Sequence, residues 1–238
     1  MPFFDPTYLC FMAPAFLLML FTSIYVKSSF NKWSKAPARS GMTGYEAVQR
    51  MIARAGLYGI QIEGVRGNLT DNYDPRTKIL HLSQGVSGNA SVASLAVAAH
   101  ELGHAQQDAD GYFPLRFRSA LVPMVNIGSY LGWILIIAGL LLSYAGMALG
   151  VNLAWLGVAI FAGGALFALA TLPVELNASA RARVLLAETG IISGPDEQRG
   201  VNTVLNAAAL TYVAALVTAM LQLLYYVMLV AGLGRRRR

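Results

Sequence analysis

The feature that most constrains the fold of this chain is a run from Ser119 to Val174 that contains no charged residue. The run is too long for one transmembrane helix, which needs about 20 residues, and long enough for two. Gly146, Gly150 and Asn152 mark a turn inside it. The sequence therefore predicts a transmembrane hairpin, with helices over residues 124–145 and 152–172.

Two more apolar segments lie towards the ends of the chain. Residues 8–26 follow Asp5 and no basic residue, a pattern that favours a retained transmembrane helix over a cleaved signal peptide. Residues 197–233 predict a last helix that is longer than a bilayer requires. Because 56% of the residues are apolar, we expect a predominantly α-helical membrane protein with about four transmembrane helices.

The basic residues predict the orientation of these helices. The net charge is +6, but Lys and Arg flank the apolar segments, so membrane topology explains them better than nucleic-acid binding does. The hairpin turn carries no charge and is expected outside. We therefore predict a multi-pass protein of the cell inner (plasma) membrane whose polar region faces the cytoplasm. Simple alternation leaves the tail Arg235–Arg238 outside, as an exception to the positive-inside tendency.

The polar region, residues 27–120, predicts a small α+β domain. Thr43 can cap a helix over residues 45–55, and short strands are expected at residues 60–65 and 77–83, with a turn over residues 69–75. An edge strand of such a sheet could hold an extended peptide by main-chain hydrogen bonds. The predicted organisation is a transmembrane helix (residues 1–26), this domain (27–120), the hairpin (121–172), a ligand-bearing helix (173–196) and a long C-terminal helix (197–238).

The polar region contains the motif His100-Glu101-Leu102-Gly103-His104. Residues four apart on a helix share one face, so His100 and His104 can aim two imidazoles at one zinc ion. Glu101 lies one position along and is predicted to accept a proton from a zinc-bound water. Gly103 is a poor helix former, which indicates close approach by another backbone, from a substrate or a neighbouring helix. Cysteine clusters are excluded as zinc sites because the chain has one Cys.

A catalytic zinc needs a third protein ligand and an open fourth position. His81 lies on a predicted strand, where a histidine is usually a surface residue. Asp110 follows His104 by six residues, a spacing that some zinc peptidases use with a Gly between, where this chain has Gln107. Glu175 is the preferred candidate because it opens a helix directly after a membrane span, where an acidic residue is costly without a function.

The chain resembles the YugP-type neutral zinc metallopeptidases, a family of small bacterial membrane proteins. The resemblance rests on segments in order along most of the chain: residues 69–75, Leu82-Ser83, residues 97–106, 173–179 and 208–215. Asn72 departs from the His that is usual there, outside the zinc ligands. The resemblance implies a gluzincin-like (zincin-like) site with His100, His104 and Glu175 on Zn²⁺ and Glu101 as base, in a cytoplasm-facing domain. It implies no substrate.

These inferences predict a membrane-bound zinc metalloendopeptidase that hydrolyses peptide bonds, on unfolded or juxtamembrane segments. Tyr212 is the candidate donor to the oxyanion, with Arg181 as an alternative, and Asn177 and Ser179 could orient ligands. The expected partners are a peptide or membrane-protein substrate and the lipid bilayer, with a second copy or a membrane partner protein as further candidates. The rival hypotheses are a zinc-binding scaffold or adaptor without peptidase activity, and a transporter subunit, which the uncharged spans disfavour.

Overall fold

A computed structural model describes residues 6–235 of the backbone and the side chains of residues 6–233. Most of the Arg235–Arg238 tail, and with it the predicted side of the membrane for that tail, lies outside the described residues. The elements are α1 (Pro6–Trp33), α2 (Gly44–Ala55), β1 (Gln61–Val65), β2 (Asn72–Asp74), β3 (Ile79–Ser83), α3 (Gln84–Ser87), α4 (Val92–Ala109), α5 (Phe113–Tyr144), α6 (Leu149–Glu188) and α7 (Pro195–Arg235).

Four of the described helices are long and apolar enough to cross a membrane, namely α1, α5, α6 and α7. This confirms the prediction of a mostly helical chain with about four candidate spans. The chain divides into two compact units. We call Met1–Phe21, Phe117–Leu172 and Tyr212–Arg238 the membrane unit, and Thr22–Arg116 and Pro173–Thr211 the polar unit.

Glycines let α5 and α6 pack closely within the membrane unit. A Cβ added to Gly139 would lie 2.4 Å from the backbone nitrogen of Ala154, and one added to Gly157 would lie 2.7 Å from that of Ile136. The two helices therefore touch through their backbones, as small residues allow in membranes, where lipid supplies no hydrophobic drive for helix association. Tyr225 and Tyr226 of α7 lie in the same apolar cluster as Ile136.

The polar unit contains a three-stranded sheet of order β1-β3-β2, in which β1 runs parallel and β2 antiparallel to β3. Residues 69–75, predicted as a turn, include β2. Three residues are too few to show a strand period, and Asn and Asp disfavour strands, so pairing with β3 rather than local propensity forms β2. The core between sheet and helices includes Met51, Leu80 and Leu102, all fully buried.

The helix α2 begins and ends as the sequence predicts. The side chain of Thr43 accepts a hydrogen bond from the backbone of Glu46, whose carboxylate accepts one in return from the backbone of Thr43, forming a capping box. Gly56 ends the helix in the left-handed conformation, with φ of 65°. These contacts place the buried face of α2 against α4 and the sheet.

The helix that carries Glu175 differs from the prediction. Pro173 was expected to open a separate helix over residues 173–196, but α6 is continuous from Leu149 to Glu188 with Pro173 inside it. An interior proline costs about 3 kcal/mol in a helix. Burial offsets this cost, because Val174, Ala178 and Ala182 beyond the proline are all fully buried in the polar unit. The hairpin helix α5 likewise begins at Phe113, before the predicted residue 124.

Replacement of Gly139 by Ala tests the close packing of α5 on α6. The added methyl group would press on the backbone of Ala154, which cannot move as a side chain can. We expect Gly139→Ala to lower the free energy of unfolding by about 1–3 kcal/mol, seen as a lower melting temperature of the purified protein in detergent.

Gly164→Ala is the matched control, because the nearest atom to its added Cβ is the Ser129 hydroxyl at 4.0 Å. A helix-interior Gly→Ala change without a clash should be neutral or stabilising. Equal melting temperatures for the two variants would contradict backbone contact between α5 and α6.

Candidate metal centre

The helix α4 presents the two motif histidines from the interior of the polar unit. Its N-cap is Ser91, whose side chain accepts a hydrogen bond from the backbone of Ser94. Alanine and leucine then fill the helix, and most of its residues from Val92 to Gln107 are buried. His100 and His104 stand one turn apart, with ring centroids 4.9 Å from each other.

Gly103 allows α6 to approach this helix at the level of the histidines. A Cβ added to Gly103 would lie 2.5 Å from the backbone oxygen of Ala178. The predicted close approach of another backbone is therefore made by a neighbouring helix. Ala178 is three residues after Glu175, so this contact brings the Glu175 carboxylate to the two imidazoles.

Three side chains meet at this point, and they are the three predicted ligands. Oε2 of Glu175 lies 3.2 Å from Nε2 of His100 and 3.5 Å from Nε2 of His104. Ligand atoms of these three residues all lie within 4.8 Å of one another. Zinc ligands at about 2.0–2.2 Å from the ion in a tetrahedron stand about 3.3 Å apart. The donor set and its spacing therefore fit zinc.

The charges around this cluster favour a cation. Burial by itself would lower the pKa of His104, but hydrogen bonding to Glu175 and the negative charge of Glu101 and Glu175 raise it overall. An imidazole whose pKa is raised although it is buried marks a place of negative potential. Such a place favours a metal ion.

Each of the two imidazoles also has a hydrogen-bond partner at Nδ1, the ring nitrogen that does not face Glu175. The Nδ1 atom of His100 lies 3.2 Å from the hydroxyl of Ser179, and Nδ1 of His104 lies 3.0 Å from Oε1 of Gln107. Ser179 and Asn177 were predicted to orient the ligands. Ser179 contacts the predicted ligand His100 directly, whereas Asn177 contacts Gln107.

Gln107 also belongs to the site, although it is not among the residues predicted there. It stands where some zinc peptidases have a Gly between the second His and an Asp, and its position three residues after His104 puts it on the same face of the helix. That i, i+3 spacing is the signal that could have found it. Its side chain is fully buried, and it bonds to α6 as well as to His104.

The other two ligand candidates lie outside the cluster. Asp110 caps the C-terminus of α4 and pairs with Arg181. His81 lies on β3, where its Nδ1 atom is 3.9 Å from a carboxylate oxygen of Glu63. Among the described residues, neither belongs to a group that could share a metal with His100 and His104.

The two predicted catalytic residues belong to different units. Glu101 follows His100 on α4, and burial raises the pKa of its carboxyl more than the neighbouring imidazoles lower it. Glu175 and Asp71 raise that pKa further. Tyr212 lies on α7 in the membrane unit, and its role stays a prediction. Arg181, the alternative oxyanion donor, is engaged by Asp110 and Asn177.

Replacement of Gly103 by Ala tests whether the backbone contact between α4 and α6 forms the metal centre. The methyl group would meet the Ala178 carbonyl and move α6, and with it Glu175, away from the imidazoles. We expect zinc binding by the purified protein to weaken and the free energy of unfolding to fall by about 1–3 kcal/mol. Isothermal titration with zinc and thermal unfolding measure the two effects.

Gly85→Ala serves as the control, since no atom lies within 4 Å of its added Cβ. It should change neither quantity. Full zinc affinity in Gly103→Ala would mean that the glycine is not required for assembly of the centre.

Comparisons with known proteins agree with these features. No solved structure matches the chain at a significant level. The chain is 42% identical over 212 residues to the "Putative membrane protease YugP" of Bacillus subtilis (strain 168), an alignment that covers 89% of this chain and 91% of that protein. The family described as "Putative neutral zinc metallopeptidase" matches residues 8–231. With this match over nearly its whole length, the chain belongs to that family of neutral zinc metallopeptidases.

Proposed function

We propose that the protein is a membrane-bound zinc metalloendopeptidase of the gluzincin type, with His100, His104 and Glu175 as the metal ligands and Glu101 as the general base. The observation that carries the proposal is that Oε2 of Glu175 lies 3.2 Å from Nε2 of His100 and 3.5 Å from Nε2 of His104, close to the separation of two ligands in a tetrahedral zinc site. Membership of a zinc peptidase family and the likeness to a membrane protease support the same reaction.

The number of protein ligands favours catalysis over a structural role. Structural zinc sites are closed by four protein ligands, whereas catalytic sites have three and leave one position for water or substrate. The cluster offers three ligands among the described residues. When bound, zinc supplies a Lewis acid that makes a water molecule acidic near neutral pH. A scaffold that keeps zinc for structure alone is expected to offer a fourth side chain.

Glu101 has the position and the environment of a general base. It is one residue from His100, so its carboxylate lies beside the cluster, and it is not among the clustered ligands. Its raised pKa, caused first by burial, makes the carboxylate a better proton acceptor. A carboxylate oxygen of Glu101 would take the proton of the attacking water and pass it to the leaving amine.

The sheet supplies a means of holding a peptide. β2 is an edge strand, and the hydroxyl of Tyr73 on β2 donates a hydrogen bond to Asp108 on α4 at 2.9 Å. The edge is thereby linked to the helix that carries Glu101. An extended substrate could pair with this edge through main-chain hydrogen bonds, without a requirement for particular side chains. This favours an unfolded or juxtamembrane segment as substrate.

The proposal includes a zincin-like polar unit that faces the cytoplasm. All basic residues except the four of the Arg235–Arg238 tail lie in the segments that the positive-inside tendency assigns to that side. Tyr212 remains the candidate donor to the oxyanion, because the developing negative charge needs a hydrogen-bond donor in addition to the metal.

Replacement of Glu101 by Gln tests the general-base role. The amide keeps the shape of the side chain but cannot take the proton. We expect Glu101→Gln to cleave a membrane-tethered reporter at least about 100-fold more slowly than wild type, a loss in the range of the rate enhancement that a general base contributes. The purified variant should still bind one zinc. Glu188→Gln, an exposed position near the end of α6, is the matched control and should cleave normally. Undiminished cleavage by Glu101→Gln would exclude the role.

Replacement of Glu175 by Ala tests the third ligand. Removal of one of three protein ligands should lower the zinc content of the purified protein after dialysis against a weak chelator, from one equivalent to well below one. Unchanged zinc affinity would exclude Glu175 as the third ligand. Wild-type protein that holds zinc but cleaves no reporter would favour the scaffold or adaptor.

A further inference from the structure

The donor and the acceptor of each hydrogen bond between Arg181, Asn177, Gln107 and His104 can be assigned in turn, starting from Arg181. Arg181 can only donate, and its Nε lies 2.8 Å from a side-chain atom of Asn177, which must therefore be the amide oxygen. That oxygen also accepts from Gln107 at 2.9 Å. The contacting atom of Gln107 is therefore its Nε2.

A second contact gives the same orientation for Gln107 independently. Its Nε2 lies 2.8 Å from the backbone oxygen of Val174, which can only accept. Both hydrogens of the amide nitrogen are thus used on α6. The remaining atom, Oε1, faces Nδ1 of His104 at 3.0 Å. An oxygen can only accept, so Nδ1 of His104 must carry a hydrogen.

This hydrogen determines what His104 presents to the cluster. A neutral imidazole with its hydrogen on Nδ1 has a lone pair on Nε2. That lone pair faces Oε2 of Glu175 at 3.5 Å, and two acceptors face each other stably only with a proton or a metal ion between them. The geometry points to Gln107 as a positioning residue: we propose that it holds His104 in the Nδ1–H tautomer and so directs Nε2 to the metal.

His100 is held differently. Its Nδ1 contacts the hydroxyl of Ser179, which can rotate to donate or to accept and therefore fixes no tautomer. The contacts that orient Gln107 also give Asp110 a structural role in place of metal ligation. Asp110 pairs with Arg181, which donates to Asn177, so the last turn of α4 and the helix α6 together orient the glutamine.

The inference rests on the proposed function, because it takes His104 as a metal ligand. The test compares two variants of Gln107 in the purified full-length protein. Gln107→Leu removes the acceptor for His104, whereas Gln107→Glu keeps an acceptor but cannot donate to Val174 and Asn177. Zinc dissociation constants are measured by competition with a chelator, and melting temperatures are measured beside them.

We expect Gln107→Leu to weaken zinc binding about 10- to 100-fold, the usual effect of losing a group that orients a ligand. Gln107→Glu should stay within about threefold of wild type, although both variants lose the bonds to α6 and melt at lower temperature. The neighbouring Gln106→Leu is the control and should bind zinc normally. Equal loss of zinc affinity in the Leu and Glu variants would mean that Gln107 only links the two helices and does not position His104.

A second measurement does not depend on the metal. The chain has three histidines, so ¹⁵N labelling of histidine gives few signals, and alkaline pH keeps the rings neutral. In metal-free wild type His104 should show the Nδ1–H tautomer, and in Gln107→Leu it should shift towards Nε2–H, the form preferred in water. Nε2–H in wild type would overturn the inference without touching the proposed function, whereas wild type that binds no zinc would overturn the proposed function.

Discussion

The candidate metal centre depends on the contact between the backbone of α4 at Gly103 and the backbone of α6 at Ala178. No side chain larger than hydrogen fits at residue 103. A glycine in the interior of the helix costs about 1 kcal/mol relative to alanine, and the contact depends on it. The contact sets the distance between two helices that carry the ligands, two residues on one and one on the other. A loop could not hold these atoms at comparable separations without its own supporting contacts.

The cluster is a polar site in an apolar interior, where a shared cation would satisfy its groups together. Glu175 and Ser179 are almost completely buried, and Gln107 is fully buried. Burial of such groups is unfavourable unless each has a partner. Ser179 and Gln107 supply partners on the outer side of the imidazoles, which leaves the two Nε2 atoms and the carboxylate oxygen free to share a positive charge. Metal binding at this site would therefore be coupled to stability.

The sequence predicted which side chains cluster, but not the contacts that support them. The spacing of His100 and His104 on a helix and the isolated acidic Glu175 were enough to predict which side chains meet, because helix periodicity and the cost of charge near a membrane are local rules. Gln107 was missed because its function depends on Val174 and Asn177, which are distant in sequence. The continuity of α6 through Pro173 was missed for a similar reason, since buried contacts beyond the proline outweigh its local preference. The strand β2 exists through pairing with β3, which no local pattern reveals.

The most direct test of the central claim is X-ray absorption at the zinc edge on the purified full-length protein. A centre built from His100, His104 and Glu175 predicts one zinc with two imidazole nitrogens and oxygen ligands at about 2.0–2.2 Å, and no sulfur. Zinc surrounded only by water oxygens, or absent after removal of loosely bound metal, would contradict it.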